Sequence, residues 1–158
     1  MVMRSLILGL GNPILGDDAV GLHIARAVAH SRAGTEGLTI AEEECGGLAL
    51  VEQLAGFDRV LLVDAIQTGA PPGTLHHLAV GSIPTQRTAT AHGINLRMAL
   101  EVGRRSGMSL PPDTDITILG IEAADVMTFS DTLSQEVRLA LPAAVRAVEE
   151  WLQQEENR

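Results

Sequence analysis

The alternation of short aliphatic runs with helix-like segments is the feature that most constrains the fold of this chain. The clearest run is at 59–64, where four consecutive aliphatic residues lead into a carboxylate, Asp64. Strands buried on both faces of a parallel sheet have this continuous apolar character, whereas half-exposed strands alternate apolar and polar residues. The chain is therefore predicted to build a parallel sheet that is covered by helices on both sides.

Turn-forming residues and helical spacing divide the whole chain into alternating strands and helices. The predicted strands are 6–9, 38–41, 59–64, 74–80 and 116–121, and the predicted helices are 18–30, 48–55, 93–105 and 131–154. Asp17 is well placed to cap the first helix, and Pro142 should split or kink the last one. We expect a single domain over residues 1–158, an α/β three-layer sandwich whose mostly parallel, twisted sheet is flanked by helices and allows one antiparallel edge strand.

The charge balance excludes one large class of partners. The chain carries 20 acidic and 11 basic residues, a formal net charge of −9, which repels a phosphate backbone. A single cysteine, Cys45, excludes an internal disulfide, and no stretch of about 18 apolar residues is available to span a membrane. We expect a cytoplasmic protein with neither nucleic acid nor membrane as a partner.

Three residues that can carry chemistry fall where the loops of such a sheet converge. Asp18 follows the first strand, Asp64 ends the third, and His92 closes a loop that enters a helix. Ligands of open α/β sheets bind beyond the carboxyl ends of the strands, and two carboxylates with one imidazole suit a divalent transition metal. Each residue alone has an ordinary explanation, a helix cap or a solvated loop side chain. Asp64 has the strongest case, because a carboxylate that ends an apolar strand needs a partner or a ligand.

The glycine-rich turn after the first strand does not fit a nucleotide site. Gly9 and Gly11 would need a third glycine at position 14, where the chain has Ile14. The loop then ends in Asp17 and Asp18, which would repel phosphate, instead of the lysine and hydroxyl of a phosphate-binding loop. We therefore expect no nucleotide or other organic cofactor.

Several segments together resemble the hydrogenase maturation proteases. The stretch 8–21, with Gly-Asn followed by the acidic pair and a glycine, is similar to the N-terminal signature of that family. Four further segments resemble later parts of the family in the same order: 62–65 with 72–74, 90–92 with Leu96, 119–122, and the helix that contains Pro142 and Ala143. The resemblance thus extends over nearly the whole chain.

The resemblance implies a specific activity and a specific partner. The family cuts a short C-terminal extension from the large subunit of a nickel-iron hydrogenase after nickel has been inserted. Carried over by position, Asp18, Asp64 and His92 contact that nickel, Asp18 and Asp64 are the catalytic candidates, and Glu44 is a candidate for a supporting role. Many members have Glu where this chain has Asp18, so the arm is one methylene shorter here. The nickel would be supplied by the precursor, and we expect a monomer.

The residues suggest how such a cut could be made. Cys45 has no histidine close in sequence, and no serine with a paired base is evident, so a covalent nucleophile is not predicted. A peptidase of aspartic type, or one assisted by the metal of its substrate, fits the candidate residues better. The free protein should then bind metal weakly or not at all.

Two other functions share part of the same pattern. A chaperone that checks the metal of the precursor without cutting it would use the same three residues. Peptidyl-tRNA hydrolases also have a strand that ends in Gly-Leu-Gly-Asn-Pro, but their RNA-linked substrate favours a basic face. The acidic balance of this chain argues against the latter function.

Overall fold

The structure is a computed structural model that describes residues 2–82, 84–88 and 95–156. Its strands and helices follow the predicted order, including a fourth strand, β4, that comes after β3 without an intervening helix. In chain order the elements are β1 Ser5–Leu10, α1 Val20–Ser31, β2 Leu38–Glu43, α2 Gly47–Leu54, β3 Arg59–Ile66, β4 Leu75–Ala79, α3 Leu96–Arg105, β5 Ile116–Glu122 and α4 Gln135–Glu156. Short 3-10 turns at Gly16–Ala19 and Asp113–Asp115 precede α1 and β5.

The described strands form one sheet in the order β2-β1-β3-β5-β4. β1 pairs in parallel with β2 and β3, β3 pairs in parallel with β5, and β4 is an antiparallel edge strand. This confirms the predicted mostly parallel sheet. Because β1, β3 and β5 are parallel, their carboxyl ends meet at one edge of the sheet, which we call the carboxyl edge.

Two apolar clusters lie on opposite faces of the sheet and make the three layers. On one face Ile7 and Val63 pack with buried residues of α1 and α4, and on the other Leu8 and Leu62 pack with buried residues of α2 and α3. Adjacent residues of a strand point to opposite faces, so a continuous aliphatic run supplies both clusters. Full burial of each such side chain stabilises the fold by about 1.5–3 kcal/mol.

Two glycines let α1 lie directly against the centre of the sheet. A Cβ at Gly9 would stand 2.3 Å from the carbonyl oxygen of Gly21, and a Cβ at Gly21 would stand 2.2 Å from that of Val63. Real Cβ atoms do not approach backbone oxygen so closely, so a larger residue at either position would push the helix away. The start of α1, and with it the turn that carries Asp18, is thereby fixed over the carboxyl edge.

The entry into α1 differs from the prediction. Helix α1 begins at Val20, and the residues before it form a 3-10 turn that contains both acids. Asp17 is not the cap of α1, because its carboxylate accepts hydrogen bonds from the backbone N–H groups of Ala124 and Ser134 and from the Ser134 hydroxyl. These distant donors outcompete the local ones, so Asp17 joins the first loop to the start of α4.

Two other boundaries also move. Strand β3 continues two residues past Asp64, to Ile66, because β5 provides partners as far as Glu122. Pro142 lies inside α4, which is one helix and not two segments. Proline has no N–H, so one helical hydrogen bond is missing at this position. Packing of Val137, Ala144 and Val148 against the sheet keeps the helix continuous on both sides of it. None of the described helices has the length and apolar character needed to cross a membrane.

Candidate active site

Asp18 and Asp64 are brought together at the carboxyl edge beneath one short turn, residues 85–88. Asp18 comes from the 3-10 turn after β1 and is 2% exposed, and Asp64 comes from β3 and is fully buried. Arg87, in the turn, contacts both carboxylates: its backbone N–H with Asp64 and its guanidinium with Asp18. Two of the three predicted site residues therefore share one partner, and both are shielded from solvent.

Asp64 is held by donors on both of its carboxylate oxygens. The Ala65 N–H lies 2.8 Å from Oδ1, while the Thr85 hydroxyl at 2.6 Å and the Arg87 N–H at 3.0 Å donate to Oδ2. Burial raises the pKa of Asp64 to about 7, against the opposing effect of the Thr85 and Arg87 hydrogen bonds. A carboxylate with such a pKa can take up or release a proton near neutral pH, as a general base or acid must.

Asp18 has one satisfied and one unsatisfied oxygen. Its Oδ2 accepts from the Asn12 N–H at 3.1 Å and from Arg87 Nη2 at 2.7 Å, whereas Oδ1 is buried and has no hydrogen-bond partner within residues 2–82, 84–88 and 95–156. Burial raises its pKa, and the Arg87 guanidinium partly counteracts this. An unsatisfied buried acceptor costs about 1–3 kcal/mol, a penalty that a bound cation or donor would remove.

The turn that carries Arg87 is tied to the rest of the fold at several points. The Thr85 N–H donates to the Thr88 hydroxyl at 2.7 Å, and the Thr88 carbonyl accepts from the Leu96 N–H at 2.8 Å. The Arg87 carbonyl lies so close to Gly46 that a Cβ there would stand 2.1 Å from its oxygen. The loop before α2 therefore supports the turn, and only glycine fits at position 46.

Arg87 is the functional residue that the sequence reasoning missed. It is the single charged residue in the segment 81–90, which is otherwise rich in Thr, Ser and Pro. A lone arginine facing a carboxyl edge with several acids is a signal that could have found it. Its contacts with Asp18 and Asp64 join positions 69 and 23 residues apart, so spacing along the chain does not reveal them.

The structure does not test the other two predicted site residues. His92 lies outside the described residues, so its predicted contact stays a prediction. Glu44 is exposed, and its supporting role likewise stays a prediction. Within the ranges that the structure describes, no group of three or more His, Cys, Asp or Glu side chains is placed to hold a metal ion.

Two other buried acids at this edge have a structural role. Glu122 ends β5 and accepts hydrogen bonds from the Thr68 N–H and hydroxyl and from the Ala70 N–H, which fixes the loop after β3. Burial raises the pKa of Glu122, but these hydrogen bonds outweigh it and the pKa falls below its usual value. Asp17 is likewise satisfied by fixed donors. The pKa values of Asp18 and Asp64 are raised, in contrast to that of Glu122, so these two aspartates are the pair suited to proton transfer.

Exposed apolar side chains lie on the loops that follow β1 and β5. Ile14 is 53% exposed, Met127 81% and Phe129 78%. The Ser130 N–H donates to the Ile14 carbonyl and the Gly16 N–H donates to the Ser130 carbonyl, so the two loops that carry these side chains are joined. Exposed apolar groups on fixed loops are a common feature of surfaces that bind other polypeptides.

Comparison with known proteins gives one consistent family. The family described as hydrogenase maturation protease matches residues 22–151. The hydrogenase expression/formation protein HupD of Rhizobium leguminosarum bv. viciae is 26% identical over 152 residues, covering 94% of this chain and 75% of that protein.

Solved structures agree with the sequence matches. The hydrogenase maturating endopeptidase HybD from E. coli superposes with a TM-score of 0.79 at 24% identity, over 97% of this chain and 94% of that one. The [NiFe] hydrogenase maturation protease HybD from Thermococcus kodakarensis gives a TM-score of 0.65 at 26% identity, over 94% and 99% of the two chains. The α/β fold is therefore the one seen in these endopeptidases.

Proposed function

The chain belongs to the hydrogenase maturation protease family, and from this premise we propose that it removes the C-terminal extension of a nickel-loaded hydrogenase large-subunit precursor. Membership of the family makes it a peptidase of hydrogenase maturation. The observation that carries the finer proposal is the buried Asp18 and Asp64 pair at the carboxyl edge, where one carboxylate has an open oxygen and the other a pKa near neutrality.

The nickel of the precursor is substrate in this proposal. Asp18 offers a buried oxygen that no described residue binds, and Asp64 lies under the same turn. Oxygen ligands from these two residues, with the imidazole of His92 as the proposed third, suit a divalent ion that retains ligands of its own. A precursor without nickel would lack the group that these side chains recognise, so cleavage would follow metal insertion.

Asp64 is the proposed general base for hydrolysis. Its carboxylate takes a proton from a water molecule as the water oxygen bonds to the scissile carbonyl carbon. The resulting carboxylic acid then returns the proton to the departing amide nitrogen when the C–N bond breaks. The substrate metal would stabilise the charge that develops on the carbonyl oxygen. No covalent bond to the protein is needed.

The exposed apolar side chains on these joined loops would give the precursor a place to bind. Phe129 and Met127 lie on the loop that is bonded to the loop of Asp18, so a polypeptide whose metal faces Asp18 would cover them. Their burial would provide binding energy remote from the scissile bond, and that energy can position the substrate.

The test is a mass measurement of the nickel-loaded precursor after incubation with the purified protein. We expect loss of the C-terminal tail with the wild type and with Glu101→Gln, a variant of an exposed acid on α3. Asp64→Asn, Asp18→Asn and His92→Ala should each slow tail release by at least about 100-fold. A stable complex without any release of tail peptide would contradict the proposal and favour the chaperone that only binds.

A further inference from the structure

Arg87 forms a largely buried ion pair with Asp18. Its Nη2 lies 2.7 Å from Asp18 Oδ2, and the side chains of the pair are 19% and 3% exposed. The backbone N–H of the same residue is bound to Asp64, so the guanidinium enters the site from a fixed point. A positive charge from the protein itself thus sits on one of the two carboxylates that would meet the metal.

The geometry of this ion pair is incomplete. Arg87 uses one nitrogen, whereas arginine commonly binds a carboxylate through two parallel hydrogen bonds. The second oxygen of Asp18 and the Nε of Arg87 are both buried, and neither has a hydrogen-bond partner among the residues that the structure describes. By contrast, Arg26 binds Glu42 through both Nε and Nη2, at 3.2 and 2.7 Å. The Arg87 contact therefore leaves unsatisfied the groups that a better ligand of Asp18 could satisfy.

We propose that Arg87 is a specificity-determining residue. In the free protein its guanidinium neutralises the Asp18 carboxylate, and only a metal carried by the bound substrate displaces it. A free divalent ion has to displace the guanidinium without help, and it meets a positive charge as it approaches. A metal held in a precursor brings the binding energy of the whole polypeptide with it. Arg87 thereby makes the site selective for nickel bound in the precursor over nickel free in solution.

This role of Arg87 rests on the proposed function, but it can be tested without the precursor. Untagged protein is titrated with nickel chloride by isothermal calorimetry at about pH 8, where carboxylates are ionised. The wild type should bind nickel weakly. Arg87→Gln, which removes the charge at similar side-chain length, should bind at least about tenfold more tightly.

Three controls separate this effect from a change in net charge. Arg105→Gln removes a charge from an exposed pair on α3 and should leave the affinity at the wild-type value. Arg87→Lys keeps a positive charge and should also bind nickel weakly. In an Asp18→Asn background, Arg87→Gln should give no gain, because the carboxylate that it frees is absent. If Arg87→Gln does not fold, as judged by the fluorescence of Trp151, Arg87→Met preserves the aliphatic stem and answers the same question.

Equal nickel affinity of Arg87→Gln and Arg105→Gln would overturn the inference, as would a gain that persists without Asp18. The outcomes also separate the two proposals. If the wild type trims the precursor but Arg87→Gln gains no affinity, only the role of Arg87 fails. If Arg87→Gln gains affinity but no precursor is trimmed, only the proposed function fails.

Discussion

Replacing Asp64 by asparagine should raise the free energy of unfolding relative to that of the wild type as the pH rises. The pKa of Asp64 is about 7 in the folded protein, against an ordinary 3.8. The folded protein therefore binds more protons than the unfolded chain between these values, and stability is lost as the pH rises from about 4 to about 7. Burial is the main cause of the raised pKa, with a smaller contribution from the charge of Asp18 and an opposing one from Arg87.

The size of the effect follows from the pKa difference. Each pKa unit corresponds to about 1.4 kcal/mol, so ionised Asp64 destabilises the fold by about 4 kcal/mol well above its pKa. Between about pH 5.5 and about pH 8 the wild type should therefore lose about 2 kcal/mol of its free energy of unfolding. Asparagine has no such titration. It loses one of the hydrogen bonds that Asp64 accepts, at about 1–3 kcal/mol, but this loss does not change with pH.

Urea unfolding followed by the fluorescence of Trp151 measures both proteins at the two pH values. The free energy of unfolding of Asp64→Asn relative to the wild type should increase by about 2 kcal/mol between about pH 5.5 and about pH 8. Glu122→Gln is the matched control, because the pKa of Glu122 is lowered and its titration lies below this range. Its stability difference from the wild type should be constant. If the difference in free energy of unfolding between Asp64→Asn and the wild type is the same at both pH values, the raised pKa of Asp64 is refuted.

Four further predictions concern the site and its supports. Cleavage by the wild type should increase with pH through an apparent pKa near 7, since Asp64 must be ionised to act as base; kcat/KM against pH measures this. Gly46→Ala should displace the turn that carries Arg87, because the added Cβ would meet its carbonyl, and lower the cleavage rate while α/β circular dichroism is retained. Phe129→Ser should raise KM for the precursor with little change in kcat. Asp17→Asn should lower the free energy of unfolding by about 1–3 kcal/mol, measured in urea, by weakening the link to α4.

The sheet could be predicted because local sequence determines most of it. Aliphatic runs such as 59–64 are buried on both faces, and turn residues separate them from helical segments, so strand order along the chain follows from the pattern. The position of Asp18 and Asp64 at one edge followed from the same reasoning, since the carboxyl ends of parallel strands converge. The resemblance to the maturation proteases supplied the activity that the pattern alone left open.

Contacts between distant segments could not be read from the pattern. Asp17 accepts hydrogen bonds from residues 107 and 117 positions away, so its role as a link between loops is invisible locally, where it looks like a helix cap. The extension of β3 beyond Asp64 depends on pairing with β5, which propensity does not contain. Arg87 reaches Asp18 across 69 residues, and only the folded turn reveals the ion pair.

The most direct test of the central claim compares two precursors in one tube. Nickel-loaded and nickel-free large-subunit precursors, distinguished by isotopic labelling, are mixed in equal amounts with the protein, and tail release from each is followed by mass spectrometry. We expect the nickel-loaded precursor to lose its tail at least about 100-fold faster than the nickel-free one, and Asp64→Asn to abolish this release. Equal rates of release from the two precursors would contradict the claim that Asp18 and Asp64 recognise the nickel of the substrate.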